Sequence, residues 1–89
     1  MIIRYSPAFF KQLKKINIRI KESVKEKVLL FSKNPHNPQL NNHLLKREYE
    51  EHRSISITAD WCALYKEKRE GKDIVAYFIT LGTHRQLYK

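Results

Sequence analysis

The chain has 89 residues, and its 18 lysines and arginines outweigh its 9 acidic residues, giving a formal net charge of +9. This length predicts one small domain, residues 1–89, and a hydrophobic content of 42% is enough for a folded core. The single cysteine, Cys62, excludes an internal disulfide and any zinc site built from several cysteines. The apolar stretch 74–81 is too short to span a membrane, and Arg4 interrupts any signal-peptide core, so a cytoplasmic protein is expected.

The positive charge is concentrated in the first third of the chain. Residues 1–33 carry nine lysines and arginines against two acids, whereas residues 34–89 carry nine against seven. A basic half of this kind favours a polyanion or an acidic protein as partner. The alternative is that each lysine only covers the solvated face of a helix, and for any single lysine both interpretations stay open.

Two amphipathic helices are predicted after a short opening strand at 2–5. Ser6-Pro7 is a typical helix start, with a capping serine and a proline at the first helical position. The second helix runs from about Ile18 to Ser32 and ends before Asn34-Pro35. The short link between the helices predicts an antiparallel hairpin. The apolar stripes are Phe9, Phe10, Leu13 and Ile16 on the first helix, and Ile20, Val24, Val28 and Phe31 on the second.

After an irregular segment at 34–47, the apolar period changes from about 3.6 to about 2 residues. Strands are predicted at about 53–57, 61–68 and 74–81, separated by turns at 58–60 and 69–73 and followed by a tail of about one helical turn. The order β-α-α-β-β-β predicts an α+β fold in which a helical hairpin packs on a small antiparallel sheet.

Histidine is the side chain best suited to acid–base chemistry near neutral pH. The spacing of the four histidines fits no metal-binding motif, so no metal and no cofactor are expected. His43 ends the irregular segment and His84 follows the long apolar strand, both at places where catalytic groups often lie. Tyr88 would share a helical face with His84. Each histidine alone also fits a structural role, as Asp60-Trp61 fits a turn aspartate before a core tryptophan.

Several segments together resemble the RelE/ParE superfamily of bacterial toxins, especially its YafQ-like branch. They are Asn42-His43-Leu44-Leu45, Arg53, Asp60-Trp61-Cys62-Ala63-Leu64-Tyr65-Lys66, and Gly82-Thr83-His84 with Leu87-Tyr88. The element order over residues 1–81 also resembles that family, so the resemblance covers essentially the whole chain. It implies a RelE-like microbial ribonuclease fold and the toxin of a type II toxin–antitoxin pair.

The resemblance further implies an endoribonuclease that cleaves mRNA in the ribosomal A site without a metal. The 2′-hydroxyl attacks the adjacent phosphate and leaves a 2′,3′-cyclic phosphate and a 5′-hydroxyl end, which requires a base, an acid and nearby cations. His43 and His84 are the expected base and acid, in either order, and Asp60 would orient a histidine. The matching catalytic positions are His43, Asp60, His84 and Tyr88, and the expected RNA contacts are Trp61, Arg53, Lys46, Arg47, Arg85 and His52.

This sequence departs from the YafQ-like pattern at two positions. Ser56 stands where that pattern usually has a histidine, and Thr80 where it usually has an arginine. Cys62 also stands where RelE itself usually carries a catalytic arginine. The missing basic groups could be supplied by His52, Arg85, Lys46 or Arg47.

Two other functions stay open on the same fold. One is a non-enzymatic poison of DNA gyrase, as in the ParE branch, and the other is a degenerate toxin that acts as a co-repressor with its antitoxin. His43, Asp60 and His84 favour the nuclease, because a pure binder would not need acid–base groups. The expected partners are an acidic, partly helical antitoxin, mRNA on the ribosome, and operator DNA bound only through the toxin–antitoxin complex, with no membrane partner.

Overall fold

The sheet has five strands, and a helical hairpin covers one of its faces. The computed structural model describes residues 1–46 and 49–88. The strand order is β1-β5-β4-β3-β2, with β1 parallel to β5 and all other neighbours antiparallel. The elements are β1 (Ile2–Tyr5), α1 (Pro7–Lys15), α2 (Ile18–Lys33), a 3-10 turn (Pro38–Leu40), β2 (His43–Leu44), β3 (Arg53–Ser56), β4 (Trp61–Glu70), β5 (Asp73–Thr83) and α3 (His84–Leu87). The predicted α+β fold, with a helical hairpin on a small sheet, is confirmed, but the sheet is not antiparallel throughout, because β1 joins β5 in parallel.

None of the helices in the described ranges combines the length and the apolar character needed to cross a membrane.

The first helix is joined to the sheet through its capping residue. Ser6 is the N-cap, as predicted, and its Oγ accepts the Phe9 N–H at 3.0 Å. The same hydroxyl donates to the carbonyl oxygen of Ile79 on β5 at 2.6 Å. One buried serine therefore both starts α1 and fixes it to the central strand.

Aromatic rings fill the space between the hairpin and the sheet. The Phe31 ring lies 4.8 Å from the Tyr65 ring and 5.4 Å from the Phe78 ring, and all three residues are fully buried. The predicted stripe of α1 is wrong at Phe10, which is 49% exposed while Phe9 is buried. Adjacent helical residues are about 100° apart, so only one of the two can face the sheet.

The other face of the sheet carries a second, smaller apolar cluster. Cys62, Leu64 and Leu87 form it, with Leu45 and Tyr49 packed against them. Ser54 lies on this second face and is buried, 1% exposed, so both faces of β3 are covered and the strand is not half-solvated as its alternating pattern suggests. The segment around α3 covers this face, which local periodicity cannot reveal.

Two boundaries also differ from the sequence prediction. The segment predicted as irregular contains β2, whose two residues are too few to show a period. The turn predicted at 69–73 is tighter, because β4 and β5 pair as far as Glu70 and Asp73. Gly71 has φ of 61°, the positive value that a two-residue hairpin turn requires.

Candidate active site

His43 lies on the edge strand β2, directly opposite Ser54 of β3. Its Nδ1 is 2.8 Å from the carbonyl oxygen of Asn41. Because a carbonyl oxygen can only accept, this contact places the ring proton of neutral His43 on Nδ1. Nε2 then carries a lone pair without a proton, which is the form that a general base requires.

Asn42, the neighbour of His43, holds β2 in place through its side-chain amide. Its Nδ2 donates to the Pro35 carbonyl at 2.9 Å and to Tyr65 Oη at 2.8 Å. Its Oδ1 accepts from Arg53 Nε at 2.8 Å. Burial raises the pKa of the Tyr65 phenol above its ordinary value, so this buried hydroxyl stays neutral. The amide thus joins the loop before β2 to the next two strands of the sheet.

Arg53 has a structural position in this network. Its Nε donates a hydrogen bond to Asn42 Oδ1, and Arg53 is the cross-strand partner of Tyr65 between β3 and β4. Side chains alternate along a strand, so Arg53 projects to the face opposite that of the adjacent Ser54. The structure therefore does not bring Arg53 together with His43, although the sequence analysis expected it to contact RNA.

Tyr88 lies over the sheet face that carries His43 and Ser54. Its Oη donates to Ser54 Oγ at 3.0 Å, and the thiol of Cys62 lies 3.7 Å from the same oxygen. Burial is the main cause that raises the pKa of Tyr88, which keeps the phenol protonated and able to donate. Ser54 therefore neighbours both residues: it accepts a hydrogen bond from Tyr88, and it pairs with His43 across β2 and β3.

His84 begins α3, and its ring meets the Tyr88 ring edge-on with the centroids 5.5 Å apart. The predicted common face of these two residues is confirmed. The backbone N–H of His84 donates to the backbone carbonyl oxygen of Asp60 at 2.9 Å. Asp60 therefore holds His84 through its backbone, while its side chain is exposed.

A cleft of about 480 Å³ opens beside His84. It is bordered by the start of α3, the end of β3 and the segment that precedes β2, so it adjoins the Asn41 carbonyl that holds His43. Among the described residues, no acidic side chain lines it. The side chains that matter most for its chemistry are Lys27, Ser56, Thr58 and His84.

Trp61 borders a second cleft, of about 490 Å³, between α1 and α3. Its half-buried ring also packs against the main core. Lys15 and Gln86 line the same cleft, which therefore combines an aromatic surface with polar and cationic groups. Both the core role and the RNA-contact role considered for Trp61 are compatible with this position.

Three of the remaining predicted RNA contacts, Lys46, His52 and Arg85, are not part of the first cleft's lining. Lys46 and Arg85 are exposed, and the His52 ring lies 6.2 Å from the Tyr49 ring, with its Nδ1 3.1 Å from the Glu50 carbonyl. Arg47 lies outside the described residues.

Three further residues were not singled out as site residues by sequence reasoning. Asn42 and Ser54 hold the His43 strand and Tyr88, and Lys27 enters the cleft from α2. An asparagine in a loop, a serine in a strand and a lysine on a helix are common, so no local signal marks them. Only their long-range contacts show what they do.

No three histidine, cysteine or acidic side chains lie together as a metal-binding group in the part of the chain that the structure describes.

A helical hairpin on a five-stranded sheet, with His43, His84 and Tyr88 at one end, defines a toxin of the RelE/ParE superfamily. The family model described as "Bacterial toxin of type II toxin-antitoxin system, YafQ" matches residues 1–89. The chain belongs to this YafQ family of type II toxins. The family resemblance expected from the sequence is thereby confirmed.

Solved structures show the same fold over nearly the whole chain. The crystal structure of YafQ from E. coli strain BL21(DE3) is 25% identical, with a TM-score of 0.78, and the match covers 98% of this chain and 97% of that one. The YoeB/ParE toxin from Agrobacterium tumefaciens is 16% identical, with a TM-score of 0.75 and coverage of 94% and 99%. A chain of the E. coli DinJ–YafQ complex is 22% identical, with a TM-score of 0.66 and coverage of 98% and 97%. No curated protein matches the sequence.

Proposed function

We propose that this toxin is a ribosome-dependent endoribonuclease that cleaves mRNA by metal-independent acid–base catalysis. The observation that carries the proposal is that His43 and His84 both neighbour the Ser54–Tyr88 pair: His43 pairs with Ser54 across β2 and β3, and the His84 ring packs against Tyr88, which donates to Ser54. His84 and Asn41 line the same cleft, and the Asn41 carbonyl fixes the ring of His43. Two positioned imidazoles beside a cleft without acids suit the cleavage of a phosphodiester.

The reaction needs one proton taken and one proton given. His43 Nε2 removes the proton of the 2′-hydroxyl, and the 2′-oxygen forms a bond to the adjacent phosphorus. The bond from phosphorus to the 5′-oxygen breaks, and protonated His84 gives its proton to that oxygen. The products are a 2′,3′-cyclic phosphate and a 5′-hydroxyl end. His43 then releases its extra proton to water and His84 takes a proton from water, which restores both histidines. Each positioned group contributes roughly 10²- to 10⁴-fold to the rate.

Other residues position the substrate in this proposal. Tyr88, as a neutral phenol beside His84, gives up its hydrogen bond to Ser54 Oγ and donates the same proton to an oxygen of the ribose or the phosphate. Trp61 offers its ring for stacking of an unpaired base, the usual way in which proteins bind single-stranded RNA. Lys46 and Arg85 contact phosphates around the site, and Asp60 keeps His84 in place through its carbonyl oxygen.

We further propose that an acidic, partly helical antitoxin neutralises the toxin in the cytoplasm, and that operator DNA is bound only by their complex. The similar E. coli toxin is present in a DinJ–YafQ complex, which supports such a partner. A groove of about 370 Å³ beside α1 and α2 is lined by Phe10, Leu29 and Lys25. An apolar groove with a lysine at its side fits an amphipathic acidic helix.

The test is to induce the gene in bacteria and map RNA 5′ ends against the reading frame. New 5′-hydroxyl ends in codon register, with cyclic phosphate on the upstream fragment, are expected. Intact messages together with double-strand breaks in DNA would instead identify a gyrase poison. Harmless expression, with DNA binding only in the presence of the antitoxin, would identify a degenerate co-repressor.

A further inference from the structure

The site contains no arginine at the place where the YafQ-like pattern has one before its glycine. Thr80 occupies that place, and its hydroxyl is 3.0 Å from the Gln12 amide nitrogen of α1. The Gln12 carbonyl oxygen in turn accepts the Leu81 N–H at 2.8 Å. This position is therefore filled by a neutral hydrogen-bonded network between α1 and β5, and the positive charge has to come from elsewhere.

Lys27 on α2 borders the core face of its helix. It directly precedes buried Val28 and follows buried Val24 by three residues, and it is half-buried while Lys25 and Glu26 are exposed. A lysine in this position lays its methylene stem along apolar surface and extends its ammonium group into the adjoining space. For Lys27 that space is the cleft that also contains Ser56 and His84.

The surroundings of Lys27 favour an anion. Within residues 1–46 and 49–88, Lys27 makes no ion pair with a carboxylate, and the lining of the cleft includes no acidic side chain. Thr58 Oγ1, in the same cleft, accepts the N–H groups of Asp60 and Trp61 at 3.3 Å and 3.1 Å, which leaves its own proton to donate. The cleft thus combines an ammonium group with hydroxyl donors, the groups that bind a phosphate oxygen.

The geometry points to Lys27 as the cation that stabilises the scissile phosphate. When the 2′-oxygen has bonded to phosphorus and the 5′-oxygen has not yet left, the non-bridging oxygens carry an extra negative charge. The Lys27 ammonium group faces this charge and takes no part in the proton transfers, so the proton balance between His43 and His84 is unchanged. This inference rests on the proposed ribonuclease function, and it assigns to α2 a part in catalysis in addition to its part in the core.

The test compares Lys27→Met, Lys27→Gln and Lys27→Arg with Lys33→Met, which removes an exposed lysine from the same helix. The measurement is single-turnover cleavage of mRNA on programmed ribosomes as a function of toxin concentration, with binding to 2′-O-methyl mRNA on ribosomes measured separately. Loss of a preorganised charge at the transition state lowers the saturating rate by about 10²- to 10³-fold, with little change in binding. Lys27→Arg should recover part of the rate, and Lys33→Met should match the unsubstituted toxin.

The inference fails if Lys27→Met or Lys27→Gln, folded by circular dichroism, cleaves at the rate of Lys33→Met. It also fails if the substitutions weaken binding to 2′-O-methyl mRNA as much as they slow cleavage, since Lys27 would then bind RNA without acting on the transition state. If the unsubstituted toxin gives no cyclic phosphate at all, the proposed ribonuclease function itself fails. Lys27→Met and Lys27→Gln differ in polarity, so a folding defect in one leaves the other as the test.

Discussion

The side chains of His43 and His84 carry the most direct test of the proposed chemistry. Replacing either by alanine should slow cleavage by roughly two to four orders of magnitude, since each supplies a positioned proton transfer. The double variant should be little slower than the slower single variant, because groups that act as a unit are not additive. Single-turnover cleavage of programmed ribosomes, with analysis of the product ends, measures both effects.

Two other histidines provide controls for that experiment. His36→Ala removes an exposed ring that is not part of the cleft and should leave the rate unchanged. His52→Ala should have only a small effect, because its ring lies against Tyr49 and not in the cleft of His84. A large loss in His52→Ala would mean that His52 supplies the basic group missing at Ser56. Full activity in both His43→Ala and His84→Ala would overturn the acid–base assignment.

Asn42 should matter for stability as well as for activity. Asn42→Ala leaves the buried Tyr65 hydroxyl and the Arg53 Nε without their partner. A buried polar group without a partner costs about 1–3 kcal/mol, so the free energy of unfolding should fall by roughly that amount. Tyr65→Phe in the Asn42→Ala background should cost less than Tyr65→Phe alone, because the hydroxyl is already unpaired. Urea denaturation of the four proteins measures this coupling, and strict additivity would contradict the network.

The start of α1 provides a test of how the helical hairpin is attached to the sheet. Ser6→Ala removes both the N-cap bond to Phe9 and the bond to the Ile79 carbonyl. Loss of a serine cap costs about 0.5–2 kcal/mol, and the second bond places this site at the upper end of that range. The melting temperature should fall by roughly 4–8 °C for each kcal/mol in a domain of this size. Ser32→Ala, at an exposed serine that bonds only within α2, is the matched control and should change stability little.

The basic surface of the hairpin should control association with the ribosome or with RNA. Charge reversal at Lys14, Lys15 and Lys21 together should weaken binding without changing the bond that is cleaved. Because each phosphate contact releases counterions, the slope of log K against log salt should become shallower in the triple variant. Binding measured from low to physiological salt gives that slope. An unchanged slope would show that these lysines only cover a solvated helical face.

Alkaline pH should destabilise the fold, because the half-buried phenol of Tyr5 and the buried phenol of Tyr65 lose their protons less readily in the folded chain than in the unfolded chain. Burial raises the pKa of Tyr5 and of Tyr65 above the ordinary tyrosine value of 10.0. The unfolded chain therefore loses these protons at lower pH than the folded one, so stability is complete below pH 10 and declines as pH rises through the folded-state pKa values. Urea unfolding from neutral to alkaline pH measures the decline. Tyr5→Phe should make it shallower, and a decline identical to that of the unsubstituted protein would contradict the contribution of Tyr5.

Much of this architecture can be predicted from short-range pattern. Local sequence predicts the start of α1 at Ser6-Pro7. It also predicts the alternating strands and the apolar stripe of α2 at Val24, Val28 and Phe31, because one face of each element has to be apolar. The family motifs likewise identify the chain as a toxin and select His43 and His84 as candidates. Both kinds of signal lie within a few neighbouring residues.

The arrangement around the histidines depends on contacts between residues far apart in the chain. Asn42 donates to Tyr65 and Tyr88 donates to Ser54 only once the sheet has formed. Lys27 likewise lines the cleft of His84 only in the folded chain. A two-residue strand has no period, and an isolated asparagine, serine or lysine has no preferred partner in sequence. The sequence by itself therefore specifies the elements, the toxin family and the candidate acid–base groups. Which neutral and cationic groups surround those candidates follows from packing, because long-range hydrogen bonds and burial exist only in the folded chain.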